Sequence, residues 1–265
     1  MPKGYEILFE DLEQTALFHE ILSKKLVSSV FQAIFELAGG NVLGYEALGR
    51  GPCGSSLHSP LALLRLAEKN NKSPELNLLF WQAALEKITN IHFDQYLFLN
   101  IDPQVIGLPH FHEQFTRETF QHYNISPRLI VLEISERTVI EDYPRFRQVL
   151  TSFTDQGCLI ALDDVGAGYS GLKTISELKP DYLKIDMDLV RNIDRDQYKQ
   201  SMVKALVDIS LSLKIKLIAE GIETTEELQT ISALGVQYGQ GFLLHKPQSD
   251  FSTKIDLTYE KLIKN

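Results

Sequence analysis

The chain has 265 residues, 44% hydrophobic and 23% charged, enough to bury a sizeable core in one large domain. Its formal net charge of −9 excludes a nucleic-acid polymer as a default partner, although bound cations can reverse the local field for a small anion. Two cysteines, Cys53 and Cys158, exclude a disulfide framework and fit a reducing, cytoplasmic setting; there is no signal-peptide pattern and no bilayer-length apolar run, so no membrane partner is expected.

Residues 1 to about 25 have helical character and predict a lead-in helix. The runs "SSVFQAIFEL" and "VLGYEALG" predict two strands separated only by "AGGN", too short for a crossover, so they pair as an antiparallel hairpin. "SPELNLLFWQAALEKITN" follows as a helix, with Pro74 and Glu75 in the first turn after Ser73 and with Phe80 and Trp81 as core. Then come the strands "YLFLNI" and "LIVLEIS", the helix "RFRQVLTSFTDQG" stopped at Gly157, and the strands "CLIALDD" and "YLKID". The helix "DQYKQSMVKALVDISLSLK", the strand "KLIAEGI", the helix "TTEELQTISALG" stopped at Gly235, and the strand "YGQGFLL" complete the series. Alternation of strand and helix predicts parallel pairing through helical crossovers. Eight strands fit an α/β fold of the TIM-type (β/α)8 barrel, modified by the antiparallel first pair; a doubly wound open sheet satisfies the same pattern. No linker divides the chain, so a single domain is expected over 1–265, with the barrel at about 27–247 and a C-terminal helix over 250–265.

The polar residues carry the chemistry. Asp163 and Asp164 stand side by side at the end of an apolar strand, where burial and mutual repulsion penalise both unless a cation or proton compensates. They have company at the other strand ends: Glu46, Asn100, Glu133 and Glu136, Lys184, Glu220 and Glu223, and Gln240. Barrel chemistry gathers at the carboxyl ends of strands. A ring of oxygen ligands without a Cys or His cluster favours hard cations, and so many carboxylates exceed what one divalent ion neutralises. Two ions bridged by Asp163 fit that charge, and paired ions suit phosphate-ester displacement. A Schiff-base role for Lys184 does not need so many surrounding acids. His110 and His112 in "PHFH" begin a helix away from this set and read as solvated side chains.

In order and spacing, "YEALGR", "LNIDP", "LEISE", "DDVGAGYSGL", "YLKID", "AEGIET" and "GQGF" resemble the motifs of the EAL domain family, bacterial phosphodiesterases that hydrolyse cyclic di-GMP to linear 5′-pGpG. The resemblance covers roughly Val27 to Pro247. It implies that Glu46, Asn100, Glu133 and Asp163 hold one metal ion and that Asp163, Asp164 and Glu220 hold a second, magnesium or manganese, with Lys184 orienting the nucleophilic water. It also implies that Gln32, Leu48, Arg50 and Gln240 meet the substrate and that Glu136 and Glu223 support the loop after Asp164, beside the homodimer interface of the family. Calcium, with its looser coordination, is expected to inhibit. The chain departs from the family pattern at Ala33, where proline is common, and at Gly49 and Gly51, often leucine and tryptophan. It departs again at Val165, Ala167 and Gly171, commonly phenylalanine, threonine and serine. No charged or amide position of the implied site is lost. The alternative is a cyclic di-GMP receptor that binds without hydrolysis and signals through a protein partner.

Overall fold

A computed structural model of the chain describes residues 3–89, 94–102, 117–136, 140, 142–167 and 171–251. Eight strands close into a barrel in sequence order: β1 Ser28–Glu36, β2 Val42–Arg50, β3 Tyr96–Asn100, β4 Ile130–Ser135, β5 Leu159–Val165, β6 Tyr182–Ile185, β7 Lys216–Ala219 and β8 Tyr238–Gly239. Closure excludes the open sheet. β2 to β8 are parallel, whereas β1 runs antiparallel to both β2 and β8, the five-residue connection 37–41 being too short for a crossover. The amino end of β1 therefore lies beside the carboxyl ends of the other strands, with Ser28 opposite Arg50.

Around the barrel run α1 Lys3–Lys24, α2 Pro60–Lys69, α3 Ser73–Ile88, α4 Arg117–His122, α5 Tyr143–Thr154, α6 Gly171–Leu178, α7 Met187–Val190, α8 Gln197–Leu213 and α9 Thr225–Leu234. The lead-in helix packs its Phe18 and Ile21 with Leu63, Leu66 and Ala67 of α2 and Leu76 of α3, a small core outside the barrel. α9 starts with a reciprocal cap, Thr224 taking the Glu227 N–H and the Glu227 carboxylate taking the Thr224 N–H, and it stops at Gly235 with φ 96°. Among the described residues no helix is long and apolar enough to cross a membrane.

Parallel strands are covered on both faces, which is why they read as unbroken apolar runs. Alternation decides which residues go where. Leu97 and Leu99 of β3 join the large core beneath the helices, while Phe98 joins Ile34, Val131, Ala161, Tyr182 and Ile218 inside the barrel. The next inward position toward the carboxyl end is polar in each case: Asn100 after Phe98, Glu133 after Val131, Asp163 after Ala161, Lys184 after Tyr182 and Glu220 after Ile218. In the reversed β1 the order inverts, and Gln32 precedes Ile34.

Two expectations need correction. "YGQGFLL" forms only the two-residue β8; past Gln240 the chain turns, with the Leu244 and His245 N–H groups bonded to the Gly241 carbonyl. At Gly241 a Cβ would lie 2.1 Å from the Ile222 carbonyl oxygen, so the turn packs directly on backbone. Glu46 sits in the middle of the nine-residue β2 rather than at its end. His110, His112 and the C-terminal flank beyond residue 251 lie outside the described residues.

Candidate active site

Adjacent residues of a regular strand face opposite sides. Asp163 and Asp164 escape that rule because the β5–β6 register shifts between Leu162 and Val165 and Asp164 takes a left-handed conformation, φ 59°. The Asp164 N–H turns back onto the Asp163 carboxylate at 2.9 Å, and the Ser135 hydroxyl donates to Asp164 at 3.0 Å. Asp163, Asp164 and Glu220 thereby offer one carboxylate oxygen each within 4.8 Å of one another.

Lys184 occupies the centre. It is fully buried, and its Nζ lies 2.6 Å from Glu133, 2.8 Å from Glu220, 3.3 Å from Glu46 and 3.5 Å from Asp163. The Asn100 amide donates to Glu46 at 3.0 Å and to Glu133 at 3.2 Å. From the other side, Gln240 Nε2 donates to Glu46 at 2.7 Å and to Gln32 Oε1 at 3.0 Å. Six strands and the residues just past β7 and β8 thus converge on a single network.

Its charges do not balance. Burial pulls the Lys184 ammonium down, but Asp163, Glu133, Glu220 and Glu46 overcome that and hold it well above the ordinary lysine range. Burial pushes Glu133 well up, with Glu46 and Asp163 adding and Lys184 opposing; burial and then Asp163 do the same to Glu220. Burial also acts on Glu46, yet the Lys184 charge and the bonds from Gln240, Asn100 and Lys184 bring it below the usual carboxylate range. Among the described residues, one ammonium, Lys184, sits within 3.5 Å of this cluster of five carboxylates, and burial drives two of them, Glu133 and Glu220, toward the protonated form. Gln240 Oε1, buried beside them, has no hydrogen-bond partner among the described residues. This donor set, all hard oxygen and amide, fits divalent cations.

Above the network an open cleft of about 380 Å³ is lined by Gln32, Glu46, Asp164, Glu220, Glu223 and Gln240, together with Asp186, Met187, Gly221, Gly241 and Phe242. Asp186, Met187 and Phe242 were missed from sequence. The signal for Asp186 was its place two residues after Lys184 on an inward face, and Phe242 closes the "GQGF" motif. Leu48 and Arg50 do not line the cleft. Leu48 is half-buried further along β2, and the Arg50 guanidinium bonds to its neighbour's carbonyl, Gly49, at 2.8 Å. Glu136 takes the Gly166 N–H at 3.0 Å, a direct tie to the turn after Asp164. Glu223 is ion-paired with Arg191 at the rim, and its N–H, like that of Thr224, is held by Glu227.

The sequence profile of the EAL domain matches residues 14–247. The chain belongs to the EAL domain family. This EAL domain is 34% identical over 227 residues to the probable cyclic di-GMP phosphodiesterase PdeB of Escherichia coli K12, covering 83% of this chain and 43% of that protein. Klebsiella pneumoniae BlrP1 in its manganese and cyclic di-GMP complex superposes with a TM-score of 0.77 at 29% identity, over 84% of this chain and 56% of that one. BlrP1 has also been solved with calcium and cyclic di-GMP. The standalone EAL protein of Vibrio cholerae O395, in its c-di-GMP-bound form, gives a TM-score of 0.74 at 27% identity over 84% and 92%. The chain spans less than half the length of the curated relatives PdeB, PdeI and PdeG.

Two departures of this EAL domain have a packing cause. At Gly49 a Cβ would lie 2.3 Å from the Phe80 ring, so Phe80 of α3 fills the space that a larger residue 49 would need. At Gly51 a Cβ would meet the Leu57 carbonyl at 2.0 Å, because the following loop folds back and His58 bonds to Gly51 in both directions.

Proposed function

We propose that this EAL domain is a metal-dependent phosphodiesterase that opens cyclic di-GMP to linear 5′-pGpG. Five carboxylates with one lysine at a barrel mouth carry that reading, because added divalent charge would reconcile them both with burial and with an anionic phosphodiester. Glu46, Asn100, Glu133 and Asp163 would hold one magnesium or manganese ion, and Asp163, Asp164 and Glu220 the other. When bound, the two ions would supply Lewis-acid activation of water and charge stabilisation of the leaving oxygen.

The chain's own groups do the rest. Lys184, whose Nζ lies 2.6 Å from Glu133 and 2.8 Å from Glu220, would serve as a hydrogen-bond donor that orients the attacking water. Gln32 and Gln240 present amides to the sugar–phosphate ring, each already fixed by the other. In the reaction the water oxygen would bond to phosphorus and give up one proton, the bond from phosphorus to the ribose 3′ oxygen would break, and that oxygen would take up one proton, so that one water is consumed per bond opened. Pairing of two copies across the loop after Asp164 belongs to the same proposal, and Leu172 on α6, 68% exposed, offers apolar surface there. Sedimentation at low concentration tests it.

Incubation of purified protein with cyclic di-GMP and manganese, followed by chromatography, is expected to yield pGpG. Calcium in place of manganese is expected to stop turnover while leaving binding intact. Binding without product under manganese would make the domain a receptor instead.

A further inference from the structure

Ala33 stands where the EAL family commonly has proline, so this chain carries a backbone N–H that proline lacks. Alternate N–H groups of β1 face the β8 edge. Phe31 is paired there with Gln248 by reciprocal bonds of 2.7 and 2.9 Å, and Phe35 with Gly239. Between them, β8 has already ended, and the Ala33 N–H is met by a side chain: it donates to Nδ1 of His245 at 3.2 Å.

That bond fixes the imidazole. Nδ1 offers its lone pair, so the neutral ring keeps its proton on Nε2. The ring is nine-tenths buried, and burial holds its pKa below the ordinary histidine value, with Asp250 pulling the other way. The same residue reaches Gln32 through its backbone: the His245 carbonyl accepts the Gln32 side-chain amide at 2.9 Å, and the His245 N–H is itself held by Gly241 at 2.9 Å. Gln32 Oε1 in turn receives Gln240, which donates to Glu46. A continuous chain of bonds thus runs from the Ala33 backbone through His245 and Gln32 to the acids.

We propose that His245 is a positioning residue of the cleft: it clamps β1 to the segment after β8, fixes the Gln32 amide against Gln240, and so sets how tightly substrate is held. This rests on the reading of the cleft as a cyclic dinucleotide site. Substitution of His245 by leucine keeps bulk and removes the acceptor, whereas asparagine returns an acceptor near the place of Nδ1.

His245→Leu is expected to raise KM for cyclic di-GMP about tenfold with kcat changed by less than about threefold, as for loss of one positioned hydrogen bond, while His245→Asn stays close to wild type. An unchanged KM in the leucine variant, or an equal rise in both, overturns the proposal. If His245→Leu does not fold, the double variant Ala33→Pro/His245→Leu removes the orphaned donor and carries the same test; wild-type KM there overturns it too. In the protein without nucleotide, hydrogen exchange at the Ala33 amide is expected to quicken at least about tenfold in His245→Leu and not in His245→Asn. Equal exchange in all three proteins refutes the clamp. Should the wild type neither bind nor cleave cyclic di-GMP, the functional reading falls, and the exchange measurement still decides whether His245 holds β1.

Discussion

The two ends of the barrel are built from the same strands and differ in kind. At the bottom, Tyr182 meets Phe98 edge-on at 5.4 Å and Tyr96 at 6.1 Å, and Lys216 lies over the Tyr182 and Tyr96 rings at 5.2 and 5.9 Å. Burial drives the Tyr182 phenol far above its ordinary range, so it stays a neutral donor or acceptor. At the mouth, one step of two residues further along β6, Lys184 is ringed by carboxylates. The bottom gains stability by filling space with rings. The mouth gathers five carboxylates around one buried lysine, an arrangement that costs stability unless added charge offsets it. A single period of strand alternation separates the two.

The contrast can be broken from either end. At the mouth, Glu46→Ala removes the acceptor shared by Asn100, Lys184 and Gln240, and turnover of cyclic di-GMP is expected to fall about 100-fold or more; full activity would remove Glu46 from the ligand set. Next in size, Lys184→Met leaves the surrounding carboxylates uncompensated and should cost about 3–5 kcal/mol in urea melts without metal. Manganese should recover more stability for that variant than for wild type, and an equal gain in both would show that cations do not substitute for the ammonium. The smallest effect belongs to the bottom. Tyr182→Phe deletes one hydroxyl bonded to Lys216 and should cost about 1 kcal/mol whether or not manganese is present, with turnover unchanged. A manganese-dependent loss there would mean that the two ends are coupled.

Much of this was legible in the sequence because the residues involved recur at fixed places relative to strand ends. The strand order, the reversed first pair and the placing of Glu46, Asn100, Glu133, Asp163, Asp164, Lys184, Glu220 and Gln240 on strands or at their ends follow from pattern, whereas closure into a barrel does not, because an open sheet has the same alternation. What pattern does not carry is backbone irregularity. The left-handed turn at Asp164, which brings both aspartates to one side, is a conformation that aspartate tolerates but that the sequence does not mark out. The early end of β8 depends on Gly241 packing against Ile222, a contact between segments that the sequence does not mark as neighbours. His245 escaped for the same reason, since its partners Gln32 and Ala33 lie more than two hundred residues away along the chain. For Arg50 the motif marks a place after "EAL" but not the side-chain direction: the guanidinium donates to the Gly49 carbonyl while lying within electrostatic reach of Glu46.

The reversal of β1 has one further consequence. Seven strands deliver their polar residue on the way out of the barrel, so exchange of the loop that follows each strand retunes it. Gln32 is delivered on the way in, a few positions after α1 hands the chain over at Ser28. The Gln32 amide therefore joins the network from the side of the leading helix, by a route that no crossover loop shares.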